Sequence, residues 1–403
     1  MSRALTVDEA LSRILAGAEP ITDVEARDLL SAHGAVLAEP LSARLTQPPF
    51  DASAMDGYAV RATDVVDLPA RLVVIGEAAA GHGFAGSLGS GQAARIFTGA
   101  PLPTGADAIV IQENTTRDGT IAIVTTGKPD PEHIRPRGGD FRAGETLLPA
   151  GRRLTARDVT LAAAMGHAGL AVRRPPVVAI LATGDELVPP GIMPGPDQIV
   201  CSNTYGIAGL VRAAGGAPQL LGIAEDTSES LAAHVERAAG ADILVTVGGA
   251  SVGDHDLVAP VLTRRGMAVD FWKIAMRPGK PLMYGRLGRQ HVLGLPGNPV
   301  SSLVCSRLFL VPLIRALLGL EPEPQRTLEA RAAVPLEANG ARAHYMRAVT
   351  KRACDGMLEA TPLPNQDSSL MRPLAAADCL LVRPISAPAL PAGAVVPILM
   401  LDF

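Results

Sequence analysis

A strong charge of one sign is missing from this chain. Its 36 Lys and Arg nearly balance its 40 Asp and Glu, for a formal net charge of −4. That leaves no electrostatic case for binding nucleic acid or an anionic membrane. Cysteine is scarce. Cys201, Cys305, Cys354 and Cys379 stand far apart and form no Cys-x-x-Cys pair, the pattern of free thiols in a reducing cytoplasm rather than of disulfides or a zinc site. No uninterrupted apolar run approaches the ~18 residues of a membrane span. The first twenty residues carry charged or polar groups every few positions, unlike a signal peptide. There is no internal repeat and no Ser-His-Asp or Cys-His arrangement for nucleophilic catalysis. The expectation is a soluble, cytoplasmic, globular protein.

What the chain does have is length, apolar content and turn residues. Its 403 residues are 48% apolar, too long for one ordinary core, and suggest two to four domains. The 41 glycines and 34 prolines are spread along the chain, well above the average of about 12%. Many tight turns and short strands follow from that distribution.

One stretch organises the rest. Ile243 to Val247 is an unbroken β-branched and apolar run, as expected of a strand buried on both faces of a parallel sheet. It runs into Gly248-Gly249-Ala250-Ser251-Val252-Gly253-Asp254-His255-Asp256. The glycines allow positive φ and close approach of a ligand, Ser251 brings a hydroxyl, and Asp256 either serves a site or merely caps the next helix. Val177 to Ala182 repeats the pattern and ends in Thr183-Gly184-Asp185-Glu186, and Gln219 to Ala224 ends in Glu225-Asp226. His291 to Leu295 meets Pro296-Gly297-Asn298-Pro299 before a long helix in which Pro312 predicts a kink. Four strands thus end on one edge, where doubly wound sheets bind ligands. Two carboxylates about 5 Å apart at an effective dielectric near 20 repel by roughly 3 kcal/mol. Such a cluster needs a cation, a proton or a base. Bases follow in Lys273, Arg277 and Lys280. Acids for a metal beside bases and glycine turns for phosphate make up a nucleotide-phosphate site.

Taken in order, the chain opens on two expected helices. Thr6-Val7-Asp8-Glu9 and Thr22-Asp23-Val24-Glu25 both have capping-box spacing, and the second helix should stop at Gly34. Short apolar runs at 71–75, 93–97, 108–111 and 121–124 then suggest an inserted β domain. Within it, Met55-Asp56-Gly57-Tyr58 and Phe97-Thr98-Gly99 read as turns or as site segments. A helix capped by Thr155 follows, and the Pro175-Pro176 boundary introduces the α/β alternation. Glu321-Pro322-Glu323-Pro324 reads as a linker to a C-terminal β domain. The expected architecture is multidomain α/β: an N-terminal helical domain (1–42 with 145–174), an inserted small β domain (43–144), a central doubly wound α/β domain (175–322) and a C-terminal β domain (325–403).

Together these segments resemble one family, the MoeA-type molybdopterin molybdenumtransferases, which include the E domain of gephyrin. The likeness is carried by Met55-Asp56-Gly57-Tyr58-Ala59-Val60, Thr98-Gly99-Ala100, Thr183-Gly184-Asp185-Glu186-Leu187, Ser202-Asn203, Gly248-Gly249-Ala250-Ser251-Val252-Gly253, Pro278-Gly279-Lys280-Pro281 and Leu295-Pro296-Gly297-Asn298-Pro299-Val300-Ser301. It continues through Arg342-Ala343-His344-Tyr345-Met346-Arg347 and Gln366-Asp367-Ser368-Ser369-Leu370.

The resemblance implies a homodimer of four-domain subunits that binds adenylylated molybdopterin, cleaves its pyrophosphate link and inserts molybdate at the dithiolene, releasing AMP. It also implies Mg2+, a molybdopterin adenylyltransferase as upstream partner, and molybdoenzymes or their chaperones downstream. By position, Glu186, Asp226 and Asp256 resemble the metal- and nucleotide-handling acids, with Gly184, Asp185, Ser202, Gly248 and Gly249 around them. Asp56, Thr98 and Asp140 resemble the groups of an opposite wall, supplied across a dimer interface. Lys273, Arg277, Lys280 and Ser251 resemble phosphate and molybdate contacts. Pro296, Gly297, Asn298 and Pro299 shape the turn behind them, and Arg342 and Ser369 line the cleft. Arg277 departs from the family, which often has Lys there; a planar fork replaces a point donor. A molybdopterin adenylyltransferase, whose module resembles the central domain, and a gephyrin-like scaffold are the alternatives.

Overall fold

The computed structural model describes residues 4–249, 257–321 and 327–401. The chain forms two compact units, one from the residues up to Glu25 together with those from Arg173 onward, the other from Ala26–Val172.

The first unit is built on a six-stranded sheet in the order Ala217–Ala224, Val177–Thr183, Ile243–Val247, Gln290–Leu295, Pro281–Leu287, Ala268–Lys273. The first four strands are parallel, with Val178 opposite Ile243 and Ile243 opposite His291. Pro281–Leu287 then runs antiparallel to both of its neighbours, so the sheet is mixed rather than wholly parallel. Every residue of Ile243–Val247 is buried. Each such Ile, Leu or Val contributes ~1.5–3 kcal/mol by burial, which is why the run carries no polar alternation. Helices Asn203–Ala214, Ser228–Arg237 and Val258–Arg264 connect the strands. The first ends on Gly215 at φ 95°, as a helix C-terminus prefers. The opening helix Val7–Ala16 has the expected Thr6/Glu9 capping box, and Arg13 pairs with Asp270 at 2.8 Å.

The kink expected at Pro312 takes the form of a widened turn. Pro299–Cys305 and Val311–Leu317 are α-helical, and Ser306–Leu310 between them is a π-helix. Pro312 has no N–H to give the carbonyl four residues back, and an inserted π turn absorbs the mismatch. The whole Pro299–Leu317 stretch is apolar enough to cross a membrane, but 78% of it is buried inside the protein, as in a core helix.

The C-terminal part closes on itself. Strand Ala343–Arg352 pairs antiparallel with both Leu358–Pro362 and Cys379–Arg383, while Thr327–Ala332 and Val395–Met400 complete the ring. Closure leaves fewer strand edges. Ala330, Ala348, Ala360, Leu381 and Ile398 fill the interior. The short strand Met276–Arg277 adds to the outside of Ala343–Arg352, in parallel.

The second unit holds a six-stranded sheet whose strands Ala70–Ala78, Gln92–Ile96, Ala108–Ile111 and Ile121–Val124 fall where the short apolar runs predict them. Its helix Ala156–Ala164 has a capping box from Thr155 and Asp158, and the buried Asp158 meets Arg152 at 2.9 Å. One expected element is wrong. The segment after Thr22 forms a strand, Val24–Asp28, not a second helix ending at Gly34. Its burial alternates with period two, and no apolar stripe at helical spacing backs the capping-box residues. Asp23 instead pairs with Arg174 at 3.2 Å.

Candidate functional site

The carboxyl end of the central sheet carries the site. At Gly248, φ is 96° and a Cβ would fall 2.6 Å from the Thr183 carbonyl oxygen, so only glycine lets the two strand ends approach. Gly184 donates its N–H to Ala224 at 3.2 Å, tying the Thr183-Gly184-Asp185-Glu186 turn to the neighbouring strand end. The Asp226 N–H donates to Asp185 Oδ1 at 3.0 Å. This bond brings Asp185, Glu186 and Asp226 into one acidic patch. Partial burial, then the charges of Asp185 and Glu186, push the Asp226 carboxyl above its ordinary range. Beside the patch lies a cavity of about 520 Å3, lined by Asp185, Leu187, Pro189, Tyr205, Leu220 and Ile223.

Two strands along the same edge, or about 10 Å at ordinary strand spacing, the character reverses. A cavity of about 330 Å3 is lined by Arg277, Lys280 and Arg342, with Asn298, Ser301 and Ser368 offering polar groups. Its walls are braced from behind. The Asn203 amide donates to the Gly297 carbonyl at 2.7 Å, Ser302 Oγ to Pro296 at 2.7 Å, and Asn298 to Ser368 Oγ at 2.8 Å. Buried Arg347 donates to the carbonyls of Asp367 and Leu370 and so shapes the loop that delivers Ser368. Gly279 holds φ 105° with its Cα against Cys305, where a Cβ would sit 2.4 Å from the sulfur.

The structure thus gathers Glu186, Asp226, Gly184, Asp185, Gly248 and Gly249 at one strand edge. It also gathers Arg277, Lys280, Arg342, Pro296 and Asn298 around one cavity. Gly297 and Pro299 form the wall and the first helical turn beside it, and Ser202 precedes the Asn203 helix. Ser369 turns to Asp367, to which its hydroxyl donates at 2.8 Å, while the neighbouring Ser368 faces the cavity. Lys273 ends its strand as an exposed residue outside that lining. Ser251 and Asp256 lie outside the described residues. Sequence reasoning passed over Ser301, Ser368 and His344 as site residues. Each sits inside a quoted motif, but Ser301 and His344 have no charged or glycine neighbour to mark them, and Ser368 is one of two adjacent serines after Asp367.

In the second unit, Asp56 accepts from the Thr98 N–H at 2.8 Å and from its hydroxyl at 2.9 Å. These bonds, the backbone one first, lower the Asp56 carboxyl below its ordinary range. Arg95 lies over the rings of Phe97 and Tyr58, 4.8 and 5.2 Å from their centroids. Asp140 is exposed, and its N–H donates to Gln47 at 3.1 Å.

Among the described residues no three His, Cys, Asp or Glu side chains converge as a metal site. The acidic patch nevertheless suits a hard cation: its donors are carboxylate oxygens, and burial, then their mutual repulsion, raises the Asp226 carboxyl. Another cavity, of about 620 Å3, lies around Arg174 and Asp242 at the other end of the sheet. Those two are already joined by bonds of 2.8 and 3.0 Å, so it offers little free charge.

An acidic edge and a basic cavity on one α/β sheet define a protein that handles phosphorylated or oxyanionic ligands. Comparison narrows the class. The family model for the MoeA N-terminal region (domain I and II) matches residues 5–166, the probable molybdopterin binding domain matches 179–316, and the MoeA C-terminal region (domain IV) matches 329–401. The molybdopterin molybdenumtransferase of Nostoc sp. is 41% identical over 335 residues, 80% of this chain and 76% of its own. That of Haemophilus influenzae is 35% identical over 94% of both chains. The crystal structure of the molybdopterin biosynthesis MoeA protein from Pyrococcus horikosii covers 100% of both chains at TM-score 0.83 and 30% identity. The chain belongs to the MoeA family.

Proposed function

We infer that this protein is a molybdopterin molybdenumtransferase of molybdenum cofactor biosynthesis, acting on adenylylated molybdopterin and molybdate. The observation that carries the reading is the cavity of Arg277, Lys280, Arg342, Ser301 and Ser368. Three cations with hydroxyl and amide groups suit a small dianionic oxyanion. The acidic edge about 10 Å away suits the diphosphate and its cation. Cleaving a phosphoanhydride calls mainly for positioning and charge neutralisation. Lys280 and the arginines orient the oxyanion, and the Asn298 and Ser368 amide and hydroxyl fix the turn around it. Glu186 and Asp226, with Asp256, would hold Mg2+, which when bound neutralises phosphate charge. The apolar cavity beside Asp185 takes a ring system at the far end of the substrate.

The reading extends to a cytoplasmic homodimer divided into the four domains expected from the sequence, with Asp56 and Thr98 acting in the same reaction. The test is to incubate purified protein with adenylylated molybdopterin, Mg2+ and molybdate, and to assay AMP and active cofactor. AMP with active cofactor is the expected result. Adenylylation of molybdopterin from ATP, without molybdate insertion, would favour the neighbouring adenylyltransferase activity. Sedimentation velocity should give twice the monomer mass.

A further inference from the structure

His344 stands at the meeting point of two cavities. It lines the basic one with Arg277, Lys280 and Arg342, and it also lines a second, of about 320 Å3, with Arg277, Arg383 and Met346. Strand register explains the position. His344 is the direct neighbour of Arg277 on one side and of Arg383 on the other. Arg342 lies just before the strand and lines the same cavity as His344. The row across three strands is therefore Arg, His, Arg. Like charges directly opposite one another in a sheet are destabilising, so this row tolerates a neutral imidazole better than a third cation.

The other groups nearby point the same way. Arg383 already donates to the Glu337 and Pro388 carbonyls, and Arg277 reaches Asn339 at 3.4 Å. Arg347 lies on the opposite face with its bonds spent on the 366–370 loop. Lys280 faces the cavity from the neighbouring turn, and Glu337 is the acid in the second cavity's lining. The His344 ring has no hydrogen-bond partner among the described residues, leaving its nitrogens for a ligand. Burial first, then Arg277, Arg342 and Arg347, push the imidazole down to about 4.

We propose that His344 is the proton-carrying residue of the oxyanion cavity: it is neutral without ligand, takes one proton from the medium as a dianionic oxyanion seats, and hydrogen-bonds one anion oxygen. The proposal rests on the functional reading above. A dianion within about 5 Å shifts a neighbouring acid by several units at an effective dielectric near 20, enough to carry the group across neutral pH. Binding adds one N–H bond and one proton, with no redox change. The gain is chemical. When two dithiolene thiolates bond the metal, two Mo–S bonds form and one Mo–O bond breaks, with molybdenum remaining Mo(VI). The departing oxide needs two protons to leave as water; His344 supplies one and the medium the other.

Calorimetric titration of the protein with molybdate, and with sulfate, in buffers of different ionisation enthalpy tests this. The wild type should take up close to one proton per anion at pH 7.5, and its affinity should fall roughly tenfold per pH unit as pH rises from about 6.5 to 8.5. His344→Gln should bind without uptake and with a flat pH profile. The imidazole resonances of His344 should move to the protonated position on adding molybdate to the wild type. Binding without uptake in the wild type, or uptake that survives in His344→Gln, overturns the role of His344 and leaves the cavity assignment standing. Failure of both anions to bind, or binding unaffected by Lys280→Ala, overturns the cavity itself and this role with it.

Discussion

The acidic edge and the basic cavity lie on one end of one sheet, yet they are built in opposite ways. Asp185, Glu186 and Asp226 follow directly on two adjacent strands, so strand order alone brings them together. The basic cavity joins Arg277 and Lys280 to Arg342 and Ser368, segments far apart in sequence, through a closed β barrel and a braced loop. The comparison teaches where each cluster is vulnerable. The acids depend on glycine turns that let strand ends crowd, as at Gly248. The basic cavity depends on a remote scaffold: the barrel strand that pairs with Arg277, and the buried Arg347, whose hold on the 366–370 loop places Ser368.

The sharpest break is to empty the cavity of charge. Lys280→Ala combined with Arg342→Ala should lower AMP release in the presence of molybdate by on the order of 10³-fold, as loss of preorganised charge at a reacting centre does. Both side chains are exposed, so the thermal unfolding midpoint should stay within a few degrees of wild type. Collapse of the fold would mean these residues serve stability instead.

Glu186→Ala strikes the other region. Turnover should fall on the order of 10²-fold, and excess chelator should slow the wild type to a similar degree, because both remove the cation's place. Full turnover in chelator, in protein free of metal, would leave the acids without the role given to them. Glu186 is likewise exposed, so unfolding should again be little changed.

A finer measurement separates repulsion from burial inside the acidic patch. Asp226 is raised by partial burial and by its two acidic neighbours. In Glu186→Gln its carboxyl should titrate at lower pH than in the wild type, followed by its carboxyl-carbon resonance. An unmoved titration would leave the shift to burial and the charge of Asp185, and remove Glu186 as a cause. The sign matters for stability: a carboxyl raised by folding favours the folded state at low pH, so Glu186→Gln should lessen the penalty that Asp226 carries at neutral pH.

The smallest effect is expected at Arg277→Lys. Charge is kept and only the fork to Asn339, at a long 3.4 Å, is lost. Oxyanion affinity measured by calorimetry should change by less than about tenfold. A larger loss would show that the planar fork itself holds the anion.

The buried strands of the central sheet were legible because their signal is local: five consecutive buried residues at Ile243–Val247 leave no other economical reading. The same holds for the Thr6 and Thr155 capping boxes, whose bonds span three residues. Thr22-Asp23-Val24-Glu25 shows the limit. It has the same local spacing, but the chain there alternates in burial and forms a strand. A cap signal without an amphipathic stripe does not make a helix. Ser368 and Ser369 are indistinguishable as sequence neighbours, and only the fold of their loop turns one to the cavity and the other to Asp367.

The sequence by itself determined that acids and glycines would stand at parallel strand ends, because alternation, burial and turn chemistry act over a few residues. It also determined the family, because ordered motifs span the chain. Only tertiary structure decided that His344 would lie between Arg277 and Arg383. Strand register across three non-consecutive segments is fixed by barrel closure and core packing, and no local pattern in any of the three encodes its neighbours.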